Sequence, residues 1–254
     1  MSEPLLSTQQ KLELLSNGEI ETEGLLPWSS NYTFLVKIMG EIGDPGPHAD
    51  IIEVKAVYKP RRGESPLWDF PEGTLCLREL AAYLVSNALG WDLIPPTVLR
   101  SGPHGIGMVQ LYIENDPDQH FFTFRDNPSY CEQLQRLSLF DLIANNADRK
   151  SGHCLLDADG HVWAIDHGIT FNVDYKLRTV IWDFAGQTIP TELTADMRRL
   201  YDDIGSKKPL GQALRQLLDE SEVAALKRRI MSLIEMKHYP GPNRSQRSIP
   251  WPPV

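Results

Sequence analysis

The sequence predicts an α+β protein with two lobes, because strand-like segments dominate its first part and helical segments dominate its second. Its 254 residues suit one large domain or two lobes that share one cleft, and a chain of this length buries a core without disulfides. Hydrophobic residues make up 41% and charged residues 23%, as in ordinary globular proteins. We expect a first lobe over 1–113, a second lobe over 114–237 and a Pro-rich tail over 238–254.

The first lobe is expected to hold five strands and two helices. Alternating, β-branched or aromatic residues predict strands over 19–24, 32–39, 51–59, 97–100 and 106–113. A short helix is expected over 7–15, and a longer one over 74–89. In the longer helix Leu77, Leu80, Ala81 and Leu84 recur at helical spacing, and Gly90 closes it.

The second lobe is expected to be mostly helical. A polar connector over 114–127 leads to a helix that Ser129 is expected to cap, and two short strands over 154–156 and 162–165 follow as a hairpin. Three further helical segments are predicted at 192–203, 209–218 and 220–236. The tail is too rich in Pro and polar residues to be helical. A free tail and a tail docked through Ile249 and Trp251 are both open.

The net charge, the cysteine positions and the hydropathy of the chain disfavour several classes of protein. The net charge of -9 disfavours a general nucleic-acid binder, which usually carries a basic face. Cys76, Cys131 and Cys154 are scattered, and they indicate reduced thiols rather than a disulfide frame or a zinc site. No stretch approaches the roughly 20 apolar residues that span a bilayer, and the start does not resemble a signal peptide. We therefore expect a cytoplasmic protein without stable membrane association.

Three features carry chemistry. Lys59 ends an apolar strand, Glu79 lies inside the long helix, and Asp148 and Asp166 lie on loops at either end of the predicted hairpin. Phosphoryl transfer needs positive charge on the phosphates, a metal held by carboxylates, and a carboxylate that orients the attacking hydroxyl. Gly168 is expected to allow an unusual backbone bend after Asp166. Each feature alone is also typical of a solvated surface, so it is their order and spacing that favour a phosphotransferase.

The order of these parts resembles the phosphatidylinositol 3- and 4-kinase family and its wider clan, which includes HipA-like and Golgi secretory kinases. The resemblance runs over about 24–171. The segments that carry it are Asn146-Ala147-Asp148-Arg149, Ile165-Asp166-His167-Gly168, Arg78-Glu79-Leu80-Ala81-Ala82-Tyr83 and Tyr58-Lys59-Pro60. It implies a two-lobed protein-kinase-like fold with a strand-rich N-lobe and a mostly helical C-lobe. It also implies ATP and Mg²⁺ or Mn²⁺ as cofactors.

The resemblance further implies a role for each matching residue. Lys59 would bind the nucleotide α-phosphate, and Glu79 would hold Lys59. Asp148 would be the catalytic aspartate, and Asp166 would chelate the metal. The turn Ser29-Ser30-Asn31 resembles the loop that covers the phosphates in lipid kinases. Adenine would lie against the strand formed by Val109, Gln110, Leu111, Tyr112 and Ile113.

His153 departs from the pattern, because most of the clan has a metal-binding asparagine at this position. A neutral imidazole can ligate a metal, but Mg²⁺ prefers oxygen. A shifted metal site, a single metal, a preference for Mn²⁺ and a weakened enzyme are all open. The expected function is ATP-dependent transfer of the γ-phosphoryl group to a hydroxyl of a small molecule, an inositol-type headgroup or a protein. The alternatives are a catalytically weak ATP-binding pseudokinase and a nucleotidyl (AMP) transferase.

Overall fold

The structure is a computed structural model that describes residues 6–26, 31–41, 51–243 and 245–254. The chain forms two compact units. The first is drawn from Met1–Leu80 and Pro95–Tyr112, and the second from Ala81–Ile94 and Ile113–Val254. Among the helices of the described residues, none is both long enough and apolar enough to cross a membrane.

The first unit is built on a five-stranded antiparallel sheet with strand order β1-β2-β3-β5-β4. The strands are β1 Glu19–Leu25, β2 Phe34–Glu41, β3 Ile51–Pro60, β4 Thr97–Gly102 and β5 Gly105–Leu111. Helix α1, Thr8–Asn17, begins with a capping box formed by Ser7 and Gln10. It buries Leu14 and Leu15 in a core cluster with one face of this sheet.

The alternation of side chains along β3 decides which residues face away from α1. Tyr58 and Val109, which lie opposite each other in the β3–β5 ladder, belong to the buried core on the α1 side. Successive side chains of a strand point to opposite faces. Lys59 and its cross-strand neighbour Met108 therefore lie on the other face of the sheet.

Helix α2, Leu75–Leu89, begins in the first unit. The carboxylate of Glu64 accepts hydrogen bonds from the backbone N–H groups of Leu75 and Cys76, at 3.0 and 2.8 Å. A carboxylate at this position satisfies N–H groups that have no partner within the helix and interacts favourably with the helix dipole. Glu64 thus fixes the start of the helix one turn before Glu79.

The second unit is mostly helical. Its remaining helices are α3 Phe121–Phe124, α4 Cys131–Ala144, α5 Thr191–Asp203, α6 Pro209–Leu217 and α7 Glu220–Met236, and its hairpin consists of β6 Cys154–Leu156 and β7 Val162–Ala164. Ser129 does not cap α4, because a 3₁₀ turn over Pro128–Tyr130 precedes it and the Asn127 side chain caps that turn. The strand-rich first unit and the mostly helical second unit confirm the predicted α+β fold with two lobes.

The described part of the C-terminal tail is docked on the second unit. Tyr239 is buried, its N–H donates to the Gln187 carbonyl at 3.0 Å, and its hydroxyl donates to the Gln135 carbonyl at 3.1 Å. The Ser248 carbonyl accepts from Thr179 N–H at 3.0 Å. Of the two open alternatives, the tail is docked, but not through Ile249 and Trp251, which are 50% and 76% exposed. Tyr239 and backbone hydrogen bonds anchor it instead.

We predict that Tyr239→Ala lowers the free energy of unfolding by about 3 kcal/mol, because it removes a buried aromatic ring and leaves a cavity. Trp251→Ala is the matched control, since its exposed ring should contribute less than about 0.5 kcal/mol. Urea denaturation of both variants measures the difference. Equal effects of the two substitutions would mean that the tail does not hold Tyr239 in the core.

Candidate functional site

In the first unit the structure brings Lys59 and Glu79 together. Lys59 Nζ lies 2.6 Å from Glu79 Oε1, and the two side chains are 20% and 2% exposed. A charge this deeply buried is costly without a partner, so the Glu79 carboxylate restrains the position of the ammonium group. The Lys59 side chain keeps some exposure, which a ligand contact requires.

The residues beside Lys59 on its face of the sheet come from β5. Met108 is opposite Lys59, and Gln110 is opposite Val57 and donates to Thr97 Oγ1 at 2.9 Å. Within the segment predicted to contact adenine, Val109 and Leu111 pack with the core on the α1 side, and β5 ends at Leu111. Tyr112 follows the strand, and its N–H donates to the Lys55 carbonyl at 3.0 Å. Ile113 belongs to the second unit.

Met108 was missed in the sequence. It is buried and opposes Lys59, which makes it a neighbour of any ligand that Lys59 contacts. The signal that would have found it is the register of β3 with β5. That register depends on two segments about fifty residues apart in the chain, and neither segment encodes it alone.

The turn predicted to cover phosphates is described only in part. Ser29 and Ser30 lie outside the described residues. The Asn31 side-chain oxygen accepts from Ser65 N–H at 2.7 Å, and the Asn31 carbonyl accepts from Thr33 Oγ1 at 3.3 Å. The Asn31 side chain therefore ties the start of β2 to the loop that follows β3.

In the second unit, two asparagines shape the loop that carries Asp148. Asn145 ends α4 in the left-handed conformation, with φ of 55°, and its side chain bonds to the backbone of Asn172, Asp174 and Lys176. Asn146 accepts from Asp148 N–H at 3.0 Å through its side-chain oxygen. The Asn145 side chain thus ties the end of α4 to the backbone of residues 172–176, and the Asn146 side chain bridges the Asp148 backbone and the Asp141 carboxylate.

Arg149 is fully buried and joins the loops of the two site aspartates. Its Nε lies 3.1 and 3.2 Å from the two carboxylate oxygens of Asp141. Its Nη1 donates to the carbonyls of His153 and Ile165, at 3.3 and 2.7 Å, and its Nη2 lies 2.6 Å from His167 Nε2. One guanidinium group thus holds the backbone just before Asp166 and the backbone of His153. Asp141 was missed in the sequence, because it lies among the apolar residues of α4.

Asp166 and His153 approach each other beside the hairpin. Asp166 Oδ2 lies 3.4 Å from His153 Nε2, and the Asp166 side chain is 47% exposed. At this bend Asp166 is in the left-handed conformation, with φ of 61°. Aspartate tolerates this conformation better than most residues with a side chain.

The charges around Asp148 act in opposite directions. Burial raises the pKa of Asp148, and the nearby Asp166 carboxylate raises it further. Lys150, whose Nζ lies 3.5 Å from Asp148 Oδ2, and Arg178 lower that pKa. Asp148 and Asp166 are therefore close enough to interact, and a cation between them would relieve their repulsion.

The donors of the second unit fit a lightly coordinated cation. Within the described residues, no group of three or more His, Cys, Asp and Glu side chains is arranged to hold a metal ion. Mg²⁺ in phosphoryl-transfer sites usually has one or two carboxylate ligands and completes its shell with water and substrate phosphates. Asp166 and Asp148 match that donor set, and His153 supplies a nitrogen beside it.

The chain is similar to known proteins over more of its length than the site residues. The family model described as phosphatidylinositol 3- and 4-kinase matches residues 98–223. Protein Rv2133c of Mycobacterium tuberculosis (strain ATCC 25618 / H37Rv) is 39% identical over 272 residues, which cover 94% of this chain and 94% of that protein. Phosphatidylinositol 4-kinase gamma 4 of Oryza sativa subsp. japonica is 27% identical over 129 residues, covering 43% of this chain and 22% of that protein. The proinflammatory kinase CtkA of Helicobacter pylori aligns with a TM-score of 0.48 and 13% identity, covering 89% of this chain and 94% of that chain.

The residues that match the family model include one part of the motifs and not the other. The family model spans the loops of Asp148 and Asp166, whereas Lys59 and Glu79 precede its first matched residue. The similarity to Rv2133c extends along nearly the whole chain. The chain thus belongs to the same family as Protein Rv2133c, and its residues 98–223 match the phosphatidylinositol 3- and 4-kinase family model.

Proposed function

We propose that the chain is an ATP-dependent phosphotransferase that transfers the γ-phosphoryl group to a hydroxyl acceptor. The observation that carries the proposal is the ion pair between Lys59 and Glu79, at 2.6 Å, with the carboxylate almost fully buried. A lysine at a strand end is ordinarily a solvated residue, whereas a lysine held by a buried helix glutamate is the arrangement that phosphoryl transfer uses to position nucleotide phosphates.

Lys59 and Glu79 divide the work of nucleotide binding. Lys59 presents its charge to the α-phosphate, and the buried carboxylate of Glu79 keeps the ammonium group in place. Met108 and Gln110, on the same face of the sheet, are the β5 residues best placed to line the adenine side, and Tyr112 and Ile113 continue the chain beyond them. We propose this face of the sheet, rather than the α1 side that buries Val109, for the nucleotide.

Asp148 acts on the hydroxyl group of the acceptor. In the proposed step, the acceptor oxygen forms a bond to the γ-phosphorus while the bond from that phosphorus to the bridging oxygen breaks, ADP leaves, and Asp148 takes the hydroxyl proton. The raised pKa of Asp148 makes its carboxylate a better proton acceptor. Asp166, with Asp148 and His153 beside it, would hold Mg²⁺ or Mn²⁺. The metal ion, when bound, neutralises charge on the phosphate oxygens.

One observation favours a second candidate, the pseudokinase. His153 Nε2 lies 3.4 Å from Asp166, so an imidazole that donates to this carboxylate would compete with the metal for it. The enzyme is supported by the presence of all four residues that the resemblance requires, Lys59, Glu79, Asp148 and Asp166. It is also supported by the contact between Lys59 and Glu79. The acceptor stays open among a small molecule, an inositol-type headgroup and a protein.

We predict that Lys59 and Glu79 act as one unit in catalysis. Lys59→Met and Glu79→Gln should each lower kcat/KM for ATP by about a hundredfold, and the double variant should lose little more, because either change abolishes the same ion pair. Lys227→Met is the control, since Lys227 lies on α7 in the second unit and its ammonium group packs 4.0 Å from the centre of the Tyr201 ring. Multiplicative losses in the double variant would contradict a shared role in nucleotide binding.

We predict that His153 sets the metal preference. A nitrogen ligand favours Mn²⁺ over Mg²⁺, so His153→Asn should raise the ratio of Mg²⁺-supported to Mn²⁺-supported turnover by about tenfold. Steady-state rates across a titration of each metal measure this ratio. His161→Asn is the matched control, because His161 bonds to the Asp92 carbonyl and lies on the hairpin turn. An unchanged ratio in His153→Asn would show that His153 is not a metal ligand.

A further inference from the structure

Arg229 is a cation of α7 that the proposed reaction does not use. Its Nε donates to the Ile143 carbonyl at 2.8 Å, and its Nη1 donates to the Asn172 carbonyl at 3.2 Å. The residue as a whole is partly exposed, but its Nη2 atom is buried and has no hydrogen-bond partner within the described residues. One guanidinium group therefore joins α7 both to the end of α4 and to the segment that follows Asp166.

Arg229 differs from Arg149 in having no carboxylate beside it. Arg149 is paired with Asp141, whereas no carboxylate in the described part of the chain lies within ion-pair distance of Arg229. Burial lowers the pKa of Arg229 to about 10, the charge of Arg228 lowers it further, and the charge of Glu222 acts in the opposite direction. The guanidinium group therefore stays charged at neutral pH. A largely desolvated charge without a paired opposite charge destabilises a fold, and the unbonded N–H group adds to that effect.

The two carbonyls that Arg229 binds lie where the site loops leave α4. Ile143 is in the last turn of α4, where the free carbonyls carry the negative end of the helix dipole and favour a cation. The next contact involves Asn145, which caps α4 and precedes the Asp148 loop. Its Nδ2 donates at 3.0 Å to the Asn172 carbonyl, the same carbonyl that Arg229 binds. Arg229 and Asn145 thus share one acceptor.

The shared acceptor begins a segment that Asn145 holds at two further points. The Asn145 side chain also bonds to the Asp174 carbonyl at 2.7 Å and to the Lys176 N–H at 2.9 Å. Segment 172–176 is therefore attached to the residue from which the Asp148 loop starts. Arg229 adds an attachment to α7, a helix that lies outside both site loops.

We infer that Arg229 is a positioning residue, which holds segment 172–176 in place beside the Asp148 loop and is retained for this role at a cost in stability. The inference rests on the proposed phosphotransferase function, in which Asp148 acts on the acceptor. Arginine suits the role because its planar fork of N–H groups reaches two carbonyls at once, which a single ammonium group does less well.

Arg229→Met tests the inference, because methionine keeps an unbranched apolar chain and removes both the charge and the donors. We expect its melting temperature to equal or exceed that of the parent. Amide exchange in 172–176, followed by hydrogen–deuterium exchange mass spectrometry, should become about tenfold faster. Arg228→Met is the matched control, since Arg228 is the neighbouring exposed arginine of α7 and its removal makes the same charge change. The control should exchange as the parent does.

Turnover separates a positioning role from a role in nucleotide binding. With an acceptor that the chain phosphorylates, Arg229→Met should lower kcat by about tenfold and leave KM for ATP within about twofold, because Lys59 and Glu79 lie in the first unit. Arg229→Lys should recover part of the lost kcat, since a lysine can still donate to one of the two carbonyls.

The melting and exchange measurements need no phosphoryl transfer, so they test the inference even if the proposed function fails. Unchanged exchange in 172–176 of Arg229→Met would overturn it. A melting temperature far below that of the parent would also overturn it, because Arg229 would then stabilise the fold. Equal acceleration of exchange in Arg228→Met would assign the effect to lost charge and not to the two contacts. Faster exchange with an unchanged kcat would remove the positioning role.

Discussion

The buried contact between Arg149 and Asp141 is the constraint on which the second unit's site depends. Neither side chain is exposed, and an arginine without a carboxylate partner at this depth would cost several kcal/mol. With its charge balanced by Asp141, Arg149 has donors left for the carbonyls of His153 and Ile165. The positions of Asp148 and Asp166 thus follow from one guanidinium group, which Asn146 and Thr179 support by binding the same Asp141 carboxylate.

The Lys59–Glu79 pair of the first unit and the Arg149–Asp141 pair of the second unit differ in exposure, and the difference suits different roles. Arg149 has no exposed surface, so it can act only by fixing the backbone around it. The Lys59 side chain is 20% exposed while that of Glu79 is 2% exposed, so the lysine is restrained and still has exposed surface. A site that orients phosphates needs both kinds of group, since preorganised charges give more stabilisation than charges that must rearrange.

Local patterns predicted the strands, the helices and the positions of the charged motif residues, because periodicity and turn chemistry act over a few neighbouring residues. What they missed depends on distant segments. Met108 becomes a site residue only through the register of β3 with β5, and Asp141 becomes the partner of Arg149 only when α4 packs beside the loop it precedes. The composition of the tail is compatible with both a docked and a free tail. Its anchor, Tyr239, bonds to Gln135 and Gln187, which lie far earlier in the chain. The left-handed residue of the bend is Asp166, which the preference of glycine for this conformation does not predict.

We propose that Lys59, Asp148 and Asp166 act together in the transfer of the γ-phosphoryl group. The most direct test supplies γ-labelled and α-labelled ATP in parallel, with Mg²⁺ or Mn²⁺, to the parent and to Asp148→Asn. Polyols, polyol phosphates and a serine-rich protein serve as acceptors. The proposed chemistry predicts that the γ label moves to a hydroxyl acceptor, that the α label stays in ADP, and that Asp148→Asn abolishes the transfer. Movement of the α label to an acceptor with release of pyrophosphate, or binding of ATP without transfer of either label, would contradict it.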